Sequence, residues 1–133
     1  ENIYNEAETK SVKIVDTTCP FVKKIHKIVN DFSKKGYKII IIGNKTHPEV
    51  IGINGWCGNN AIVIKSIDEI DNIEFDKDAK YCVVSQTTVD IDKYEEIISK
   101  LNEVLNDATM KNTICSATKE RQLSAKNLAK DNG

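Results

Sequence analysis

The chain has 133 residues, enough for one compact domain with part of a second. Acidic and basic residues nearly balance, 20 against 19, and are interspersed, which argues against nucleic acid or an anionic membrane as partner. No apolar run approaches the roughly 20 residues that span a bilayer, and no signal-peptide pattern opens the chain, so a cytoplasmic protein is expected.

Residues 1–10 are polar and read as a helix with Ile3, Tyr4 and Ala7 on one face. Residues 12–16 form a short β-branched run and read as a strand. Thr17, Thr18 and Cys19 follow, and then Pro20. Proline needs no amide proton at the first helical position and already has a helical φ, so Cys19 falls at or next to a helix N-cap. Apolar residues then recur at Val22, Ile25, Val29 and Phe32 with helical spacing, and Gly36 ends that helix.

Residues 37–42 hold four consecutive isoleucines, a pattern that suits a central parallel strand covered on both faces. After the loop 43–47, Pro48 opens a helix towards Gly55 or Trp56. Residues 61–64 read as a third strand. Ser66 with Glu69 reads as a capping box for a short helix. Residues 80–84 are the next strand and 85–88 the loop after it. The helix over 92–106 has the clearest stripe: Tyr94, Ile97, Ile98, Leu101, Val104 and Leu105. Residues 112–115 read as a last short strand, and a helix follows over 118–130. Its apolar face is thin, Leu123 and Leu128 with several alanines, which predicts a packing partner outside this chain.

Strands alternating with helices imply an α/β fold: a parallel sheet of about four strands with helices on both faces. In such a sheet all strands point one way, so the loops after them share an edge, and ligands bind there. Cys19, His47, the Gln86-Thr87-Thr88 loop and Cys115 each follow a predicted strand. Together they would place two thiols, an imidazole, the carboxylate of Glu49 and several hydroxyls on one rim. Taken singly, each has an ordinary structural explanation: a small buried thiol, a capped turn, a threonine N-cap. Only their joint placement favours function. The four cysteines lie far apart without a Cys-x-x-Cys pair, so reduced thiols, some of them metal ligands, are expected rather than disulfides. Cys82 inside an apolar strand and Cys57 beside Trp56 read as packing. His26, mid-helix among lysines, reads as surface or tertiary contact. The chain starts at Glu1 and carries its only methionine at position 110, so it reads as an excerpt of a longer protein.

The motifs Asp16-Thr17-Thr18-Cys19-Pro20, Gly43 with His47-Pro48-Glu49-Val50, Gln86-Thr87-Thr88, and Cys115-Ser116-Ala117-Thr118 with Arg121-Gln122 occur in one order. In order and spacing they resemble the 4-hydroxy-3-methylbut-2-enyl diphosphate reductase family, the iron–sulfur oxidoreductases that end the non-mevalonate pathway of isoprenoid biosynthesis. The resemblance covers essentially the whole chain. It implies that Cys19 and Cys115 are two of three thiolate ligands of a [4Fe–4S] cluster with one open iron. It implies that His47 binds the substrate diphosphate, with Thr87 and Thr88 also on the substrate. Glu49 would supply the proton that lets the allylic hydroxyl leave as water, and Thr87 would orient that hydroxyl and relay the proton. The products would be isopentenyl and dimethylallyl diphosphate, with a ferredoxin or flavodoxin as electron donor.

In that family the third cysteine, two further histidines, and the serines and asparagine on the diphosphate lie outside the stretch matched here. The enzyme has three similar α/β lobes. The resemblance therefore implies one lobe of a three-lobed enzyme: residues 1–19 end the first lobe, 20–112 form the middle lobe, and 113–133 start the third. Such an excerpt is expected to hold no stable cluster and to turn over no substrate alone. Two other readings stand beside it. One is a small α/β module that binds an anion or diphosphate through His47 and helix N-termini, without redox chemistry. The other is a zinc-binding domain using Cys19, Cys115 and His47, which the wide ligand spacing disfavours. The substitution Cys19→Ala in the full-length parent separates them. The reductase reading expects loss of both visible cluster absorbance and activity; a binding module would lose neither.

Overall fold

The isoleucine run at 39–42 is the centre of the molecule, and it is buried on both faces. It belongs to β1 (Lys38–Ile42), in which every residue after Lys38 is buried. A computed structural model describes residues 2–132, with side chains from 4 to 131. Along the chain, α1 (Asn2–Thr9) and α2 (Pro20–Lys34) precede β1, and α3 (Pro48–Gly55) and β2 (Ile62–Ile64) follow it. A 3₁₀ turn (Ile67–Asn72) leads to β3 (Tyr81–Ser85), α4 (Ile91–Val104), β4 (Ala108–Met110) and α5 (Ser116–Asn132).

The four strands form one sheet in the order β2-β1-β3-β4, and every pairing is parallel. Because side chains alternate across a strand, Ile39 and Ile41 point to one face and Ile40 and Ile42 to the other. The first pair packs with Ile25 and Val29 of α2 and with Val50 and Ile53 of α3. The second packs with Ile97 and Leu101 of α4 and with Ile70 of the 3₁₀ turn. The expected α/β architecture, a four-stranded parallel sheet covered on both faces, is thus the one found.

Gly36 takes φ +82°, the left-handed value that lets α2 stop and the chain turn into β1. On α4, Asp90 caps the first turn by accepting from the Lys93 amide at 3.1 Å. The expected capping box at Ser66 does not form. Ser66 makes no side-chain cap, and the Glu69 carboxylate accepts instead from the Lys65 amide at 2.9 Å. The six-residue element it opens is a 3₁₀ turn, too short to develop an α-helical ladder.

Two expected strands fall elsewhere. Residues 12–16 form neither helix nor strand among the described residues; Val12 is 58% and Val15 76% exposed. The β-branched run suits a strand, but it pairs with none of the four strands of the sheet. The last strand is not at 112–115 but at Ala108–Met110, paired with residues 81–83 of β3. Downstream the ladder is interrupted, because a threonine hydroxyl occupies the place of main-chain groups (see below). The face expected at the start of the chain includes Ile3, whose side chain lies outside the described residues; Tyr4 meets Trp56 with ring centroids 5.9 Å apart. Helix α5 is largely exposed, with Leu123 at 61%, and is tied to the body through Gln122 and Lys126. Among the described residues no helix is long and apolar enough to cross a membrane.

Leu101 lies on the α4 face of the core with no exposed surface. Leu101→Ala should lower unfolding stability by about 2–5 kcal/mol, read from urea unfolding, through lost burial and the cavity left behind. A loss below about 0.5 kcal/mol would mean that α4 does not seal that face.

Candidate functional site

The strand order creates a divergence at β1 and β3. Helix α3, which follows β1, packs on the face with α2, whereas α4, which follows β3, packs on the opposite face. The two connecting loops therefore part at the carboxyl edge of adjacent strands and leave a crevice, the position where open α/β sheets bind ligands. His47 and Glu49 come from one side of this divergence, and residues 86–88 from the other.

On the β1 side, the Asn44 carboxamide oxygen accepts from the amide and the hydroxyl of Thr46 at 3.1 and 3.0 Å, closing a tight turn. The next residue, His47, is the N-cap of α3. Its Nδ1 accepts from the Glu49 amide at 3.2 Å, and Pro48 fills the first helical position. A ring whose Nδ1 accepts carries its proton on Nε2 when neutral, so His47 can donate to an anionic oxygen. It stands at a helix N-terminus, where the helix dipole also favours an anion.

Glu49 bridges the divergence. Its Oε1 accepts from the Thr87 amide at 2.6 Å, and its Oε2 lies 2.7 Å from the Thr87 hydroxyl, which donates to it. Both carboxylate oxygens are thereby committed to one residue of the opposite loop, in a partly buried setting. Thr87 itself is only 7% exposed. Beside this clamp, the Gln86 side chain accepts from the Asn44 amide at 3.1 Å and donates to the Thr88 hydroxyl at 2.8 Å. Thr88 is exposed and is held through Gln86. The approach is close enough to exclude a side chain at Gly43: a Cβ there would lie 2.9 Å from Gln86 Cβ and 3.0 Å from Val50 Cγ2.

Cys115 joins the same edge. Its amide donates to the Thr87 carbonyl at 3.1 Å. Its sulfur accepts from the Thr118 amide at 3.4 Å and lies 3.6 Å from the Thr118 hydroxyl, at the start of α5. These contacts, chiefly the Thr118 hydroxyl, hold the Cys115 thiol below its ordinary range, with Arg121 adding to them. The other two thiols with a resolved tendency go the opposite way. Burial pushes Cys82 up to about 11 and raises Cys57, whose thiol donates to the Asn54 carbonyl at 3.2 Å. Cys57 and Cys82 are thus core thiols, as expected.

Cys19 is the N-cap of α2 and is exposed. Helix α2 ends where β1 begins, so it runs against the strands and its N-terminus lies towards their carboxyl edge. Phe21 and Lys24 in its first turns line a small cavity with Asn112, Thr113 and Ile114, the residues leading to Cys115. Asp16 anchors this end. Its carboxylate pairs with Lys23 at 2.9 Å and accepts from the Thr18 amide at 2.9 Å, and Lys23 holds the Asp16 carboxyl well below the usual range.

Direct bonds therefore bring together Glu49, Thr87 and Cys115, with His47 bonded through Nδ1 to the Glu49 amide and Thr88 tied in by Gln86. The Cys19 thiol makes no hydrogen bond to this group, and among the described residues no three His, Cys, Asp or Glu side chains are close enough to hold a metal ion. One expectation is corrected in form: neither Cys19 nor Cys115 directly follows a strand. Cys19 follows the unpaired segment 12–18, and Cys115 lies five residues beyond β4. The bracing by Gln86, the donors from Thr118 and the Gln122 contacts to Val89 and Ile91 were not assigned from the sequence. Each lies inside a recognisable motif, but the role depends on a partner 31 to 42 residues away or on a cap geometry. His26, read as a surface or tertiary contact, stacks on Trp56 with ring centroids 5.4 Å apart.

Comparison with known proteins gives a consistent result. The family model described as LytB protein matches residues 1–132. A 4-hydroxy-3-methylbut-2-enyl diphosphate reductase of Clostridioides difficile (strain 630) is 57% identical over 98% of this chain and 47% of its own length. The reductase of the same name from Alkaliphilus oremlandii (strain OhILAs) is 47% identical over 98% of this chain and 46% of its own. The solved E-1-hydroxy-2-methyl-but-2-enyl-4-diphosphate reductase of Plasmodium falciparum superposes with a TM-score of 0.84 at 32% identity, covering 92% of this chain and 39% of that one. The chain spans about half the length of the curated relatives it matches.

Thr118→Ala removes the first of the contacts that favour the Cys115 thiolate. The thiol should then titrate higher, so the pH profile of its alkylation by iodoacetamide, followed by mass spectrometry, should move to higher pH. An unmoved profile would mean that the helix-start contacts do not activate this sulfur.

Proposed function

The chain belongs to the LytB protein family, and from that premise we propose that it forms the middle α/β lobe, with adjoining segments, of a 4-hydroxy-3-methylbut-2-enyl diphosphate reductase. In this reading residues 1–19 close a first lobe, 20–112 are the middle lobe and 113–133 open a third. The observation that carries the proposal is the Glu49–Thr87 clamp at the β1/β3 divergence, with His47 on the same helix start and Cys115 bonded to the Thr87 main chain.

The overall reaction breaks the C–O bond to the allylic hydroxyl. The hydroxyl takes up one proton and leaves as water, two electrons enter the allyl unit, and a second proton on carbon completes isopentenyl or dimethylallyl diphosphate. His47 Nε2–H binds a diphosphate oxygen, and the positive end of the α3 dipole favours the charge there. Glu49, when protonated, donates to the Thr87 hydroxyl across the 2.7 Å contact, reversing the hydrogen bond seen with the carboxylate. The Thr87 hydroxyl then gives its own proton to the leaving oxygen, since a hydroxyl accepts on one side and donates on the other. The Thr87 amide on Oε1 keeps the carboxyl aimed during this transfer. Thr88 offers a second hydroxyl at the same rim.

The donor set suits a thiolate-ligated cluster in the part this chain supplies. Cys115 is partly exposed and favoured as thiolate, and Cys19 presents an exposed sulfur at a helix start. These two would hold a [4Fe–4S] cluster together with a third cysteine from elsewhere in the longer protein. Bound there, such a cluster supplies Lewis acidity at the hydroxyl and the path for two electrons, which a ferredoxin or flavodoxin of the cytoplasm would deliver.

In the full-length parent, Glu49→Gln should lower turnover by about a hundred- to ten-thousand-fold, the range of one general acid. Diphosphate affinity should change little, because His47 remains. Dehydroxylation assayed with a chemical reductant checks this; turnover within about twofold of wild type would remove Glu49 from the proton path.

A further inference from the structure

Strand β4 ends at Met110, yet the chain keeps following β3 for five more residues. The Lys111 amide donates to the Val83 carbonyl at 2.8 Å, and the Cys115 amide to the Thr87 carbonyl at 3.1 Å. Both contacts share one sequence offset, so the parallel register set by Tyr81↔Ala108 persists to Cys115. Between them one rung is different. A continuous parallel ladder would pair the Ser85 amide with the Lys111 carbonyl and the Ser85 carbonyl with the Thr113 amide. Instead the Thr113 hydroxyl takes both places. Its oxygen accepts from the Ser85 amide at 2.8 Å, and its proton goes to the Ser85 carbonyl at 2.7 Å. The Ser85 hydroxyl lies 3.1 Å from the same oxygen. Ser85 is fully buried and Thr113 is 9% exposed, so water cannot substitute for these contacts.

We propose that Thr113 is a positioning residue for Cys115: its hydroxyl replaces one main-chain rung, holds the departing chain against β3, and so sets Cys115 beside Thr87. A side-chain rung is longer than a main-chain one. It lets the chain swing out from the sheet before α5 while keeping register, which is what places the start of α5 at the carboxyl edge. Two main-chain bonds and the burial of Ile114 flank this rung, and among the described residues the Thr113 hydroxyl is the side-chain group of segment 111–115 that bonds to β3. The Asn112 side chain bonds only locally, to the Ile114 amide at 3.2 Å. The importance of this placement for catalysis rests on the reading of Cys115 as a cluster ligand.

The test separates the two claims. In the chain as it stands, hydrogen exchange of the Cys115 amide should accelerate about tenfold or more in Thr113→Val, while the amides of β1 keep their rates. Thr113→Ser, which restores the hydroxyl, should exchange as wild type. Thr113→Cys, with a weaker donor of similar size, should fall between and serves if the valine variant does not fold. An unchanged Cys115 rate, or an equal acceleration throughout β1, overturns the positioning role. In the full-length parent reconstituted with iron and sulfide, the visible absorbance of Thr113→Val should decay several times faster under a chelator than that of wild type or Thr113→Ser. Equal decay overturns the link from this rung to the ligand. Failure of the wild-type parent to take up any cluster would instead refute the proposed function, with the exchange rates still deciding the rung.

Discussion

Glu49 spans two segments that the fold drives apart. The loop after β1 turns to one face of the sheet and the loop after β3 to the other, and the carboxylate closes the gap with one bond from the Thr87 amide and one from its hydroxyl. The span is possible only because the strands remain adjacent to their ends, with Ile42 opposite Ser85 and the Gln86 amide on the Ile42 carbonyl at 2.8 Å. A side chain at Gly43 would force Gln86 away, and Gln86 is what holds the Asn44 turn. The rest of the site depends on that close approach. His47 is set by the turn that Asn44 begins, Thr88 by the other end of Gln86, and Cys115 by the main chain of Thr87.

The arrangement combines rigid and open parts. Residues 81–87 are all buried, so the Thr87 hydroxyl is presented from a buried turn two residues beyond β3 rather than from an exposed loop. His47, Glu49 and Cys115 are only partly covered, and Cys19 is exposed. The thiols are sorted by the same physics. Where the surroundings are apolar the neutral form is favoured, as at Cys57 and Cys82. Where a helix start offers donors, the charged form is favoured, as at Cys115. That contrast distinguishes a sulfur suited to packing from one suited to ligation.

Much of this was legible along the chain. Four isoleucines in a row called for a strand covered on both faces, prolines at 20 and 48 marked two helix starts, and the Tyr94 to Leu101 stripe marked a third helix. The motifs supplied the residues of the rim. Strands were harder. Residues 12–16 have strand-like composition but pair with none of the four strands of the sheet, and residues 112–115 were read as the strand whose pairing belongs to 108–110. Strand propensity reports the fit of a residue to a pleated surface, and the neighbour that makes the surface is remote in sequence.

Local pattern therefore determined the helices, the buried strands β1 to β3 with their apolar faces, and the side chains just beyond β1 and β3, because these follow from periodicity and from proline and glycine geometry. Tertiary structure alone decided that Glu49 meets Thr87, that Gln86 braces Asn44, and that the Thr113 hydroxyl stands in for a rung beside Ser85. Each of those contacts joins residues 28 to 42 positions apart. Such pairs form only once strand order and register are set, and short-range chemistry carries no information about either.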